Sequence, residues 1–361
     1  MSPSGRRAGL TPDHGPLLAY VAASGGTVHV KQVKVDIRIP VGRPIPELAD
    51  WLARCEDAGF HGVGVHDHHH AGRDAYLTLA VGATRTSSLT LYPAVSNSVT
   101  RDPLVLAALA NSVAELAPGR TMVSLAPGFL SVERAGRPRA SVDQLRSAFT
   151  SMRDLLAGAT VPLGDTATRL RQVASPVPPA LLLASGPRLL ELAGEIADGV
   201  LMLVGLDPAA IAAARRHLRT GAERAGRDPA GLKEIFIVPI GVGDQAEVRA
   251  WPRSWFRPGV PWLAYPSRSN LRWLRAAGIE LADDLAPDEV SDALADRVCD
   301  AFGLFGPAEH CAERLLRARE EAGVEHVFLF PVHTAETGYD MPEREIEAFA
   351  RTIGPMLSQR C

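Results

Sequence analysis

Lysine is almost missing from this chain of 361 residues: only Lys31, Lys34 and Lys233 carry an ammonium, and arginine supplies nearly all the positive charge. The net charge is −3, so the basic excess that nucleic-acid binding draws on is absent, and no nucleic-acid partner is expected. Cysteine is also scarce. Cys55, Cys299, Cys311 and Cys361 are scattered with no pair at ligand spacing, which excludes a disulfide scaffold and fits reduced thiols in a cytoplasmic protein. No apolar run approaches the roughly 20 residues a membrane-spanning helix needs, so no membrane partner is expected. Residues 15–24 follow Arg6-Arg7 in the manner of an export signal, but Asp13, His14 and Pro16 interrupt the pattern. A loose amino-terminal arm over residues 1–32 is expected instead.

What is present is enough apolar material for a large core, 46% of the residues, arranged in alternating short runs. Strands are expected at residues 33–39, 62–65, 89–95, 121–126, 181–184, 199–203, 234–240 and 326–330, with helical patterns between them. Eight strands in alternation with helices imply an α/β architecture, a (β/α)8 TIM barrel formed by one domain over residues 33–361. An open doubly wound sheet is the alternative. The connection between strands seven and eight is long, with an insertion over about residues 244–300. Its first part holds Trp251, Trp255, Trp262 and Trp273, and reads either as a lid or as a packing insertion.

Chemistry in such βα units collects at the carboxyl ends of the strands. There the second strand runs directly into His66-Asp67-His68-His69-His70. Three readings compete for this cluster. One is a metal site, which would need further ligands from other strand tips; another is a surface run without a role. The third is an acid/base group, with His68 near neutral pKa as proton donor. The tip of strand three, Ala94-Val95-Ser96-Asn97, suggests a bulge or a close backbone approach to a ligand. Pro127-Gly128 ends strand four with small residues. Ala184-Ser185-Gly186-Pro187 leads from strand five into a helix whose first amides could hold a phosphate, or forms an ordinary turn with Ser185 as N-cap.

Taken in order, several motifs resemble the luciferase-like monooxygenase superfamily, and most of all its deazaflavin-dependent branch, typified by methylenetetrahydromethanopterin reductase. They are Asp67-His68 with Arg73-Asp74-Ala75-Tyr76, Ala94-Val95-Ser96-Asn97 with Arg101-Asp102-Pro103, and Glu115 to Arg120. Ala126-Pro127-Gly128, Ala184-Ser185-Gly186-Pro187 and Ala197-Asp198-Gly199 follow. The resemblance implies a barrel that binds coenzyme F420, an 8-hydroxy-5-deazaflavin, across the carboxyl ends of the strands. It maps Asp67 and His68 to the ring, a non-prolyl cis peptide to Ala94–Val95, the phosphate to the turn after strand five, and the acidic residue ending strand one to Asp36. Many relatives carry an acid directly after the strand-four glycine; this chain has Phe129.

The expected function is therefore an F420-dependent oxidoreductase, a reductase moving a hydride between deazaflavin and a C=N or C=C bond of a small organic substrate. The expected catalytic residues are His68, Asp67 and His66. Cofactor binding is expected at Asp36, Asp67, Ala94, Val95, Ser96, Asn97, Pro127, Gly128, Ala184, Ser185, Gly186 and Pro187, with no metal ligands. An FMN-dependent monooxygenase is the alternative on the same fold; a non-catalytic flavin-binding protein and a metal hydrolase are the others. Relatives of this kind imply a homodimer.

Overall fold

Three strands begin the sheet: β1 (Lys34–Ile39), β2 (Gly62–Val65) and β3 (Thr90–Pro93). The last resumes after two residues as β4 (Ser96–Asn97), and β5 (Val123–Ala126) follows. A detached hairpin, β6 (Val161–Leu163) with β7 (Thr166–Thr168), precedes β8 (Ala180–Ala184), β9 (Gly199–Met202) and β10 (Lys233–Val242). The short β11 (Leu304–Gly306) and β12 (His326–Pro331) complete the set. This is a computed structural model that describes residues 32–252, 268–282, 285, 287–334 and 336–359. The expected arm, apart from Gln32, lies outside the described residues, as do Trp255, Trp262 and Cys361.

All pairings of the main sheet are parallel, in the order β3-β2-β1-β12-β10-β9-β8-β5-β4, with β11 added beside β10. Because β3 and β4 are two parts of one run of chain, the ends of this sheet are joined. A bridge between Leu91 and Thr121 tightens the seam. The barrel is thus closed, and the open-sheet alternative falls. The connection from β10 to β12 holds helices Gln245–Arg249, Arg268–Ala276, Asp292–Phe302 and Ala308–Ala322 besides β11.

Helix Ile45–Asp57 shows how the outer layer forms. Its apolar residues Leu48, Trp51, Leu52 and Cys55 recur on one face and are buried, and Gly59 at φ +88° turns the chain out of it. Burying one such leucine fully is worth about 1.5–3 kcal/mol. Ile37 and Ile39 of β1 and Val63 and Val65 of β2 face this layer. The barrel interior is a separate, smaller cluster of Tyr92, Met122, Leu181, Leu201, Ile235, Ile237 and Phe328. Asp36 and Arg38, which alternation alone would turn to solvent, are buried instead, because the barrel buries strands on both faces. Gly64 makes this packing possible: a Cβ there would sit 2.5 Å from Ala94 Cβ and 2.6 Å from the Phe328 ring. No helix among the described residues is long and apolar enough to cross a membrane.

Candidate active site

Side chains along a strand alternate between faces, and β2 carries that period past its end. Gly62 and Gly64 are followed by His66 and His68, whose rings lie against each other with centroids 3.4 Å apart, tilted by 42°. A single turn, His69–Ala71, then brings His70 to 5.2 Å from His68. Tyr339, from the loop after β12, bridges the two: its hydroxyl is 3.0 Å from His68 Nδ1 and 2.9 Å from His70 Nε2. Arg38 lies buried nearby. Its Nη2 donates to the Gly338 carbonyl at 2.6 Å, its guanidinium lies 4.8 Å from the Phe330 ring centre, and its Nε has no hydrogen-bond partner.

This surrounding changes the electrostatics expected of His68. Burial, reinforced by His70, Arg38 and His333, pushes its pKa down to about 3. His66 is driven down by burial and by His68 in the same way, and His333 falls to about 4 through burial and Arg38. The expectation of a near-neutral pKa at His68 is thus corrected: the ring sits in an apolar, already cationic neighbourhood that disfavours a second proton.

Asp67 points the other way. Arg101 donates to both carboxylate oxygens, Nε at 3.1 Å and Nη2 at 2.8 Å, and Ser96 Oγ donates at 2.7 Å. Ser96 Oγ also lies 3.2 Å from the Tyr76 hydroxyl. Arg101 further reaches Asp74 at 2.7 Å, and Asp74 caps helix Ala75–Ala83 by accepting from the amides of Tyr76 and Leu77. Burial opposes the charge on Arg101, but Asp67 and Asp74 outweigh it and push its pKa up. Asp67 is buried, and both of its carboxylate oxygens are engaged by Arg101 and Ser96.

The Ala94–Val95 peptide is cis, as the resemblance implies. The Ala94 amide continues the ladder to Val65 O at 2.7 Å, and Ser124 Oγ donates to Pro93 O beside it. Asn97 is turned to local structure, its Oδ1 accepting from the amides of Val99 and Thr100. Gly128 has φ +92°, and a Cβ there would strike Val132 at 2.2 Å. Phe129 next to it is 38% exposed, with the Arg139 guanidinium over its ring at 4.2 Å.

At the fifth barrel strand, Ala184 ends β8 and helix Pro187–Ile196 begins with Gly186, not Ser185, as its N-cap and with no side-chain cap. Pro187 carries no N–H and the Leu189 amide donates to Gly186 O at 3.1 Å, so in this turn the Arg188 amide is the one left to a ligand or to water. Trp273 Nε1 donates to Ser185 O at 2.8 Å, so helix Arg268–Ala276 packs over this turn, and Trp251 stacks on Phe305.

Asp36 is the candidate the structure moves away from the rim. It is three residues short of the end of β1 and level with Gly62, four residues before His66, about 13 Å along the strand. Its neighbours are Tyr92, His61 and His326 on the amino-terminal face. Tyr339, Arg38, Arg101 and His333 were missed by sequence reasoning. Only Arg101 had a signal, through the Arg101-Asp102-Pro103 motif.

Comparison with known proteins follows from this geometry. The model of the family described as luciferase-like monooxygenase matches residues 22–326. A 5,10-methylenetetrahydromethanopterin reductase of Methanolobus tindarius is 28% identical over 296 residues, 75% of this chain and 86% of that protein. An F420-dependent glucose-6-phosphate dehydrogenase of Nakamurella multipartita is 32% identical over 203 residues, 50% of this chain and 59% of that protein. The solved coenzyme F420 dependent tetrahydromethanopterin reductase of Methanopyrus kandleri superposes with a TM-score of 0.69 at 19% identity, covering 90% of this chain and 99% of that one.

A pH titration checks the electrostatics. The native pKa of His68 lies below that of an unfolded histidine, about 6.5, so the unfolded chain binds more protons between the two values. This group's contribution to stability is therefore full above about pH 6.5 and is lost as the pH falls towards about 3. Nitrogen NMR of the native protein should show a neutral His68 ring from pH 8 to 5; a midpoint near 6.5 would contradict the environment described.

Proposed function

The chain belongs to the luciferase-like monooxygenase family, and from that premise we propose that it is a coenzyme F420-dependent oxidoreductase. The observation that carries the reading is the rim itself: inward histidines after β2, a cis bulge after β3, and an uncapped helix start after β8 on one carboxyl-terminal face. These features fit the cofactor. A backbone bulge offers a flat surface to a ring, and the Gly186 and Arg188 amides at the helix start suit a phosphate. Ser185 to Pro187, Ala94, Val95, Pro127 and Gly128 would hold it; Ser96, Asn97 and Asp67 would hold the loop. Bound there, F420 would supply hydride chemistry at its ring. Asp36, on the opposite face, is left out of that set.

The chain's own part is to orient and to move a proton. Hydride delivery to a C=N or C=C bond of a small substrate leaves a negative charge that a proton must neutralise. A neutral His68 can give its Nε2 proton only if Nδ1 is resupplied. The hydrogen-bonded row His70–Tyr339–His68 does that, running from the exposed His70 inward, so no imidazolium is required at any stage. Asp67, through Arg101 and Ser96, fixes the segment that presents His68. Exposed Phe129, where many relatives have an acid, gives the substrate side an apolar contact. We propose a homodimer as well: Leu77 (57% exposed) and Val81 lie one turn apart beside the neighbouring helix that exposes Val105.

Trp273 sits on the turn assigned to the phosphate, so tryptophan fluorescence reports binding. F420 should quench it at lower concentration than FMN; equal or tighter FMN binding would move the protein to the monooxygenase reading. In single-turnover oxidation of the reduced cofactor by whichever C=N or C=C compound the loaded protein accepts, His68→Ala should lower the rate about 10²–10⁴-fold. Tyr339→Phe should lower it too, with F420 affinity little changed. A Tyr339→Phe protein as fast as the parent would refute the relay. Sedimentation should give twice the chain mass of 38.5 kDa, and Leu77→Glu should halve it; a monomeric parent would refute the dimer.

A further inference from the structure

The amino-terminal face of the barrel carries a second polar cluster, remote from the rim. Asp36 is fully buried among apolar barrel residues, and among the described residues no Arg or Lys pairs with it. Tyr92 OH donates to Oδ2 at 2.7 Å, His61 Nδ1 lies 3.1 Å from Oδ1, and His326 Nε2 lies 2.9 Å from Oδ2. Gly62 leaves the room: a Cβ there would meet Asp36 Oδ1 at 2.7 Å. Tyr92 of β3, His61 just before β2, Asp36 of β1 and His326 of β12 come from strands that are consecutive in the sheet.

Two features exceed what a hydrogen-bonded pair needs. His326 Nε2 is buried and makes no hydrogen bond, although it is within 2.9 Å of a carboxylate oxygen. Its ring direction therefore misses that oxygen. Second, one ligand atom from each of Asp36, His61 and His326 falls within 4.8 Å of the others. The two nitrogen–oxygen separations run to different carboxylate oxygens, 3.1 Å to Oδ1 and 2.9 Å to Oδ2, and lie within about 0.5 Å of the roughly 3.4 Å between tetrahedral ligands about 2.1 Å from a metal. Tyr92 then holds the carboxylate from outside, as partners of metal ligands do.

We propose that Asp36, His61 and His326 form a site for one divalent cation of the Zn²⁺ or Co²⁺ type, which two imidazoles and a carboxylate prefer over Mg²⁺ or Ca²⁺. The cation balances a buried carboxylate and staples the amino-terminal ends of three adjacent strands, so its effect is on stability and not on the rim. His61 is one-third exposed and lines a floor cavity of about 1270 Å³, which gives the ion its entry.

The test uses the full chain stripped with a chelator and titrated with Co²⁺, then with Zn²⁺. Because the rim histidines could also bind metal, three variants are compared: His61→Ala, His326→Ala and His68→Ala, each checked for folding by circular dichroism. One equivalent of metal should bind and raise Tm, with visible absorption for Co²⁺. Affinity should fall at least about 10-fold in His61→Ala and His326→Ala and stay unchanged in His68→Ala. Should His326→Ala fail to fold, the partly exposed His61→Ala decides alone. Absence of bound metal, or binding lost in His68→Ala and kept in His61→Ala, overturns the proposal.

Discussion

The polar residues of this protein depend on one constraint, the two-residue period of β1 and β2 inside a closed barrel. Because Ile37, Ile39, Val63 and Val65 must face the helices, Asp36 and Arg38 are committed to the interior, and His66 and His68 continue the inward face of β2. Two glycines at 62 and 64 keep the adjacent inward positions empty enough to accept them. The consequence is a barrel with chemistry at both ends: a carboxylate between histidines at one, and a guanidinium near a row of histidines at the other. A one-residue shift of either strand would turn the groups that strand carries into the helical layer.

The same constraint explains the division of labour between Asp67 and His68. As neighbours on a strand end they face opposite ways, and each is defined by what lies on its side. Asp67 meets Arg101, whose second contact with Asp74 ties the strand tip to the next helix; breaking a buried pair of this kind costs about 3–5 kcal/mol. His68 meets other imidazoles and a cation, which keep it neutral. Rigidity behind the tip and neutrality in front of it are complementary, since a ring held in place can pass a proton along a fixed row without carrying a charge.

Strand placement was legible in the sequence because barrel strands are short apolar runs bounded by turn residues; β2 falls where expected, and the other barrel strands within a residue or two except at the bulge. The cis bond and the rim histidines were legible through ordered motifs. What was not legible shares a cause: it depends on distant segments meeting. Tyr339 reaches His68 across 271 positions, and Arg38 gains its carbonyl from Gly338 across 300. The near-neutral His68 failed for the same reason, since its depressed pKa comes from groups that only folding brings near. Asp36 was misplaced because a motif fixes a residue's order in the chain and not its height in the barrel.

The central claim is that the carboxyl-terminal rim binds a deazaflavin between the bulge and the uncapped helix. Its most direct measurement is the crystal structure of the protein grown with F420. The account predicts the ring packed against Ala94–Val95 within contact of His68, and the phosphate on the backbone amides of Gly186 and Arg188. A ring bound on the amino-terminal face near Asp36, or a phosphate held away from that helix start, would contradict it.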